Sequence, residues 1–433
     1  MAYVNNVAIM LQGGKRREML SLYLGWRMIK AFIMRCDELR MYDCLEKIPE
    51  LMGDYPEYAP KIWEIAEFFF SNGKLRTATA LYEGIVTFSE QFDTGKLAMC
   101  QFRLWQLAIR NNLGDPYASL RFAPFRHRLP KAYALEGLLL LAKNHAVRDR
   151  WEEAEKYADE LYAVVITGCH NRRKHRLKQR HIPQYSLITY YGEACLLKAA
   201  ALEQQERYLE SMEWIKKSTV LSRFEELDEQ GRMEAERFRV LALGSRFCIE
   251  VKQGNRQIIA EYAAFLQEHE SEVLRGLVAL LISANTYDYS IDQLLSSFAD
   301  LELQPVPPMG ENGMEQYYFV RRRYIQYCYH YADYYFRRSC YDPGAEFMFR
   351  ALELAIVERN YVVVLQCTIL FEKHREHFTS GQTAQYEQLC EKIKSHKEPK
   401  NTVLHDYFLM LVRGMPSPLI EECEKKKFLN ISY

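Results

Sequence analysis

The stretch from Tyr324 to Ala355 contains two amphipathic helical patterns in succession, separated by a break at residues 340–344. The apolar stripes are Tyr329, Ala332 and Phe336 in the first pattern and Ala345, Phe349 and Leu352 in the second. Their spacing of three and four residues, with a small residue between aromatic ones, is typical of a tetratricopeptide hairpin. We expect Asp342 to cap the second helix and Pro343 to take its first position. Because one hairpin cannot bury its apolar face alone, further hairpins should flank it.

Paired helical patterns recur along most of the chain and predict an all-α, tetratricopeptide-like right-handed superhelix of helical hairpins. Core positions in three further hairpins are predicted as Ile62, Ile65, Ala66, Phe69, Ala78 and Tyr82; Leu138, Leu141, Ala142, Trp151, Ala154, Ala158 and Leu161; and Ala199, Leu202, Tyr208, Ser211 and Ile215. The predicted divisions are N-terminal helices at 1–55, repeats at 56–303, a connection or hinge at 304–313, repeats at 314–400, and a C-terminal capping or dimerisation helix with a tail at 401–433. Equivalent small residues are not separated by multiples of the usual repeat length of about 34 residues, which indicates a divergent array.

Composition narrows the class of protein. A chain of 433 residues that is 48% hydrophobic can bury a large core, and equal numbers of acidic and basic residues, 57 of each, create no general attraction to nucleic acid or anionic lipid. Its 11 cysteines form no C-x-x-C pair, so we expect reduced, buried thiols. The start lacks a signal-peptide pattern and no apolar run reaches about 18 residues. We therefore predict a soluble, cytoplasmic protein.

Motifs for catalysis and metal binding are missing from the sequence. There is no G-x-S-x-G, H-E-x-x-H, P-loop or G-x-G-x-x-G motif, so we predict neither an enzyme nor a cofactor. Cys169, His170, His175 and His181 match no zinc spacing and lie in a basic run at 169–185, where positive charge opposes a cation. We interpret this run as a solvated surface, with a phosphate contact as the alternative.

The tyrosines between residues 324 and 336 cannot all face the core, because they cover every side of the helix. The stripe opposite the packing stripe holds Tyr327, His330, Tyr334 and Arg337, and inward positions of neighbouring hairpins hold Glu193, Arg239, Arg246, Asn285 and Gln366. Aromatic rings, cations and amides of this kind suit a groove that binds an extended peptide. We expect Arg239→Ala or Arg246→Ala to abolish peptide binding without a change in melting temperature, and Tyr334→Ala to weaken binding. The alternative is that these side chains only brace the hairpins.

The middle of the chain resembles a known family. RFAPFRHRLP at 121–130 and RWEEAEKYADEL at 150–161 resemble repeat units of the RRNPP peptide-pheromone receptors, in particular arbitrium-like regulators, and the resemblance covers about residues 40–390. It implies a cytoplasmic receptor that binds a short signalling peptide in its concave groove and changes conformation to regulate transcription, as in quorum sensing or a lysis–lysogeny switch. Among groove residues, Asn285 is the best counterpart of the asparagines with which such receptors hold a peptide backbone.

The resemblance to this family also leads to expectations about binding partners. Members contact DNA through a helix-turn-helix domain, which is not evident in residues 1–50, so we expect DNA contact only through such a domain. We expect a homodimer with a contribution from the amphipathic helix at Val403–Met410, and no membrane partner. Two alternatives remain open: an anti-activator that binds a response regulator, and a tetratricopeptide scaffold for a protein partner without a small peptide ligand.

Overall fold

A computed structural model describes residues 26–45, 58–87, 94–111, 118–174, 185–220, 229–298 and 314–395. Every regular element within these ranges is a helix, which confirms the all-α prediction. The helices pack mainly against their neighbours in sequence, as expected for a helical repeat protein. None of the described helices is both long and apolar enough to cross a membrane. The predicted hinge at 304–313, the C-terminal helix and most of the basic run lie outside these ranges.

The chain forms two compact units, of which the first comprises residues 1–144 and 172–185 and the second residues 145–171 and 186–433. The helices that begin in the first unit are α1 (Trp26–Glu38), α2 (Tyr42–Leu45), α3 (Ala59–Ser71), α4 (Leu75–Thr87), α5 (Thr94–Asn111), α6 (Ala118–Phe122), a 3-10 helix (Ala123–Arg128) and α7 (Lys131–Val147). The division falls inside α7, between Asn144 and His145.

The remaining helices begin in the second unit. They are α8 (Trp151–Lys174), α9 (Leu187–Gln204), α10 (Tyr208–Thr219), α11 (Glu229–Lys252), a 3-10 helix (Arg256–Ile258), α12 (Ile259–Glu268), α13 (Glu270–Tyr287), α14 (Asp292–Ser297), α15 (Met314–Arg337), α16 (Tyr341–Val357), α17 (Tyr361–Lys373), a 3-10 helix (Arg375–His377) and α18 (Ser380–Ser395). The helices α9, α11, α13, α15 and α17 pack side by side in this order.

Helical hairpins in both units use the same turn. After the first helix, one residue adopts a left-handed conformation and the chain then enters the second helix. At Gly73, whose φ is 72°, the amide donates to the carbonyl of Phe70, and the amide of Lys74 donates to the carbonyl of Phe69 at 2.9 Å. This pair of bonds is the Schellman motif. The equivalent left-handed residues in other turns are Arg40, Asp149, Glu206, Gly254, Ser339 and Arg359.

The turn chemistry corrects the predicted start of α16. The amide of Cys340 donates to the carbonyl of Tyr335 at 3.0 Å and closes the turn, so Cys340 is the N-cap and Tyr341 the first helical residue. The predictions that Asp342 caps this helix and that Pro343 is its first residue are therefore wrong. Both residues lie in the first turn instead. Proline is tolerated there because that amide has no partner within the helix.

The predicted apolar stripes form the cores of the hairpins. Among the stripe residues of α15 and α16, Ala332, Phe336, Ala345, Phe349 and Leu352 are buried, while Tyr329 is half-buried. In the three other hairpins all predicted core residues are buried except Trp151 and Tyr208, which are half-buried. Eight of the nine described cysteines are also buried, with Cys340 exposed. The right-handed superhelix itself stays a prediction.

Candidate functional site

The second unit contains a group of charged side chains on helices that otherwise bury apolar residues. We call it the charged cluster. It consists of five charged residues and one serine: Glu203 on α9, Ser245 and Lys252 on α11, Glu272 and Arg275 on α13, and Arg323 on α15. These four helices are consecutive members of the side-by-side row, which brings together residues up to 120 positions apart. Both carboxylates are buried, and the three cations are half-buried. Solvent therefore reaches the cluster only at its cations, and only in part.

Two of the three cations have a carboxylate partner. The Nζ atom of Lys252 donates to Oε1 of Glu203 at 2.7 Å. The guanidinium of Arg275 donates to Oε2 of Glu272 at 3.2 Å and to Oγ of Ser245 at 2.6 Å. These bonds join α9 to α11 and α11 to α13 by charge-assisted hydrogen bonds, which are the stronger kind.

A glycine on α11 makes room for one of these carboxylates. A Cβ atom at Gly244 would lie 2.7 Å from Oε2 of Glu272, which is closer than real Cβ contacts. Because only glycine lacks that atom, Gly244 allows Glu272 to lie directly against the backbone of α11. The position of the Glu272 carboxylate thus depends on a glycine at residue 244 of the neighbouring helix.

Arg323 differs from the other two cations, because it makes no hydrogen bond or ion pair with any residue that the structure describes. It is the last of three consecutive arginines, which point in different directions because successive helical residues are about 100° apart. The Nε atom of Arg321 lies 2.7 Å from Oε1 of Glu358, the residue that follows α16. The guanidinium of Arg322 pairs with Asp149 and donates to the carbonyl of Val147. Arg323, by contrast, lies within electrostatic reach of Arg275, Glu272 and Glu203.

The electrostatics of the charged cluster separate Arg323 from its neighbours. Burial by itself lowers the pKa of Lys252, but the charge and hydrogen bond of Glu203 outweigh burial and raise that pKa. Burial also opposes the charge of Arg275, whose pKa is nevertheless raised, with Glu272 and Glu203 contributing. For Arg323, burial and then the positive charge of Arg275 lower the pKa, and the nearby carboxylates do not offset them. Arginine remains charged in proteins, so Arg323 is an incompletely compensated cation.

Three of the predicted groove residues lie close to the charged cluster or next to its helices. Nδ2 of Asn285 donates to the carbonyl of His330 at 2.9 Å and so links α13 to α15. The side-chain oxygens of Asn285 and of Gln366, on α17, are buried without a hydrogen-bond partner among the described residues. Burial, followed by the charges of Lys252 and Arg337, lowers the pKa of His330 to about 3, so its imidazole is neutral. Asn285 and Gln366 thus lie on two of the helices that pack against α15, which itself carries His330.

Two predicted groove residues are core residues instead. Tyr334 is fully buried; its hydroxyl accepts from the amide of Ile291 at 2.8 Å and donates to Oδ1 of Asp292 at 2.8 Å. Tyr327 is buried as well, and its ring contacts those of Tyr331 and Phe347. The prediction that Tyr327 and Tyr334 present their rings to a ligand is therefore wrong. Tyr334 braces α15 against the segment at Ile291 and Asp292, as the alternative interpretation expected, whereas the ring contacts of Tyr327 with Tyr331 and Phe347 lie within its own hairpin.

The four remaining predicted residues already have ionic partners. Glu193 pairs with Arg237 at 3.2 Å, and Arg337 pairs with Asp333 at 2.9 Å on the same helix. Arg246 pairs with Glu250 at 3.4 Å and Glu261 at 3.5 Å, and the exposed Arg239 pairs with Glu236 at 2.8 Å. Of these four residues, Arg337 lies near enough to His330 for its charge to lower the pKa of that histidine.

The sequence analysis missed all members of the charged cluster, although two signals were present. One signal was the run Arg321–Arg323: three consecutive arginines span about 200° of a helix, so one of them lies towards the packed side. A second signal was Gly244 in the middle of a long helical pattern, which indicates close approach of a neighbouring group. Neither signal identifies the residues that lie near Gly244 or Arg323, because Glu272 and Arg275 belong to another hairpin.

We compared the chain with protein-family models, with curated proteins and with solved structures, and none of the three comparisons gave a match.

Proposed function

We propose that this chain is a cytoplasmic receptor for a short signalling peptide, which binds along the row of first helices in the second unit. The observation that carries the proposal is the charged cluster, whose cations exceed its carboxylates by one, three against two. If these charges served only stability, we would expect each of them to have a partner, because an unpaired charge that is even partly removed from water is costly, and Arg323 is half-buried. An ionic ligand that binds there would remove this cost.

The chemistry around α15 suits a peptide in particular. Peptide backbones offer amide donors at regular intervals, and Asn285 and Gln366 hold side-chain oxygens that lack a donor among the described residues. Both atoms are buried, so their use requires a shift of α15 relative to α13 or α17. Such a shift upon binding matches the conformational response that the family resemblance implies, in which the receptor, as a homodimer, regulates transcription.

The test is an affinity selection followed by calorimetry. The full chain is incubated with a library of peptides of five to ten residues, retained peptides are identified by mass spectrometry, and one selected peptide is titrated into the protein. We expect saturable binding at one peptide per chain and a higher melting temperature in its presence. A selection that retains no peptide, with no thermal shift for the library, would contradict the receptor proposal and favour a scaffold for a protein partner.

A variant pair checks where the selected peptide binds. Glu203→Gln removes a partner of Lys252 inside the charged cluster, whereas Glu38→Gln removes the partner of exposed Arg35 in the first unit. We expect the first substitution to change peptide affinity at least several-fold and the second to leave it unchanged. Equal affinities for both variants would place the peptide site away from the charged cluster.

A further inference from the structure

The charged cluster has a net charge of plus one, which one monovalent anion would neutralise. Lys252 and Arg275 are matched by Glu203 and Glu272, and the surplus positive charge is that of Arg323. A neutral ligand would leave this charge uncompensated. A dianion such as a phosphate monoester would introduce one negative charge more than the cluster can balance, next to two buried carboxylates. A carboxylate supplies one negative charge and fits the surplus.

The guanidinium group adds a geometric preference for the same ligand. Its planar fork of N–H donors matches the two oxygens of a carboxylate, so that a bidentate pair can form. None of the Arg323 donors is engaged by a residue that the structure describes, and the side chain is half-buried. A carboxylate there would be held in a partly desolvated site, where charge-assisted hydrogen bonds are strongest.

We propose that Arg323 is the recognition residue for a carboxylate group of the ligand, with Arg275 reinforcing the positive field and Glu203 and Glu272 excluding more highly charged anions. This inference deepens the receptor function proposed above and rests on it where the carboxylate is that of a peptide. The peptide's own C-terminus is the carboxylate common to every sequence. We therefore assign Arg323 to that group.

Two comparisons with the selected peptide test this assignment. In the wild-type chain, the free-acid peptide should bind about 10- to 100-fold more tightly than its C-terminal amide, which corresponds to the loss of one hydrogen-bonded charge pair. In Arg323→Met the two forms should bind with similar affinity. Arg35→Met, an exposed arginine of the first unit with a partner on its own helix, is the matched control and should preserve the wild-type ratio. Arg323→Gln repeats the test with a polar side chain.

A second arm uses small anions and needs no peptide. Melting of the wild-type chain is followed in sodium acetate, sodium phosphate and sodium chloride at equal ionic strength. Acetate should raise the melting temperature above that in chloride, and this difference should disappear in Arg323→Met and in Arg323→Gln. A larger effect of phosphate than of acetate, or an acetate effect that persists in both variants, overturns the assignment.

The two arms separate the anion site from the receptor function. Acetate stabilisation that depends on Arg323, without any retained peptide, supports the carboxylate site and overturns the receptor function. Binding of a peptide with equal affinity as acid and amide supports the receptor function and overturns the assignment of Arg323 to the C-terminus. The acid-to-amide comparison in the wild-type chain gives this answer even when a variant does not fold.

Discussion

Two arginines, the buried Arg103 in the first unit and the half-buried Arg323 in the second, differ in how their positive charge is compensated. In the first unit, Nε and Nη2 of Arg103 donate to the two carboxylate oxygens of Glu67, each at 3.1 Å, and Nη1 donates to Gln106 at 3.0 Å. Gln106 in turn donates to Glu136 at 2.8 Å, and the guanidinium lies over the ring of Phe70. In the second unit, Arg323 has no such partner among the described residues.

The difference distinguishes a structural charge from a candidate ligand-binding charge. Interactions with Glu67 raise the pKa of Arg103 although burial opposes its charge, whereas burial and Arg275 lower the pKa of Arg323. Arg103 therefore stabilises the contact between α3 and α5 without any ligand. We expect Arg323 to lower stability until an anion compensates its partly buried charge. The following predictions test whether this contrast is real.

The largest expected effect is that of Glu67→Leu in the first unit. This substitution removes both carboxylate acceptors of Arg103 and the partner of the Tyr82 hydroxyl, and it leaves a buried cation unpaired. We expect a loss of about 3–5 kcal/mol in the free energy of unfolding, measured by urea denaturation with circular dichroism.

The control for this substitution is Glu38→Gln, which breaks an exposed pair in the same unit and should cost less than about 1 kcal/mol. Acetate should not restore the stability of Glu67→Leu. A loss no larger than that of the control would mean that the Arg103 network is not a structural one, and the contrast with Arg323 would fail.

A smaller effect is expected for Glu272→Gln in the charged cluster. Glutamine keeps the shape that fits against Gly244, but it raises the surplus of positive charge from one to two. Arg275 keeps its bond to Ser245, so we expect a loss of about 2 kcal/mol in chloride. In contrast to Glu67→Leu, acetate should recover part of this loss. Equal unfolding free energies of Glu272→Gln in acetate and in chloride would contradict an anion site at the cluster.

The sequence predicted the hairpins more successfully than the site, for a physical reason. Stripes such as Ala332 and Phe336 are set by the period of a single helix, so local spacing reveals them. The start of α16 was displaced because the Schellman turn at Ser339 closes earlier than a cap at Asp342 would. That turn is defined by backbone bonds, which most residue types can make.

The site depended on contacts between hairpins, which no local pattern contains. The hydroxyl of Tyr334 meets the amide of Ile291, 43 residues away, so the sequence could not tell this tyrosine from one facing a ligand. Likewise, the run Arg321–Arg323 predicts that one arginine faces inward, but only the neighbouring helices decide which one lacks a partner. The family resemblance suggested a class of ligand, but it did not indicate Arg323 or the core position of Tyr334.

His145 in the second unit provides a further contrast, because it is a buried base without a partner. Both ring nitrogens lack a hydrogen bond to any described residue, and burial lowers the pKa to about 4, with Glu153 opposing and Arg150 and Arg148 adding to the shift. The folded-state pKa is thus below the unfolded value of about 6.5. The unfolded chain binds the proton more tightly, so stability is complete above about pH 6.5 and falls towards pH 4.

We expect this residue to account for about 1.4 kcal/mol of the stability lost between pH 7.5 and pH 5.5. His145→Phe keeps a ring against Tyr157, which lies at 5.2 Å between centroids, and should reduce the loss by that amount in urea denaturation at both pH values. The exposed His127→Gln is the control and should retain the wild-type difference. A pH dependence unchanged by His145→Phe would show that His145 is not held neutral by burial.

The smallest effect concerns the turn that the two units share. Gly73 in the first unit and Ser339 in the second have φ values of 72° and 60° and make the same pair of backbone bonds, so they differ mainly by one Cβ atom. That atom is unfavourable in the left-handed region, and removing it should outweigh the greater freedom of glycine in the unfolded chain. We expect Ser339→Gly to raise the free energy of unfolding by about 0.5–1 kcal/mol, and Gly73→Ala to lower it by about 1 kcal/mol. Ser339→Ala keeps the Cβ atom and should produce no gain; a gain equal to that of Ser339→Gly would assign the effect to the lost hydroxyl instead of to the backbone.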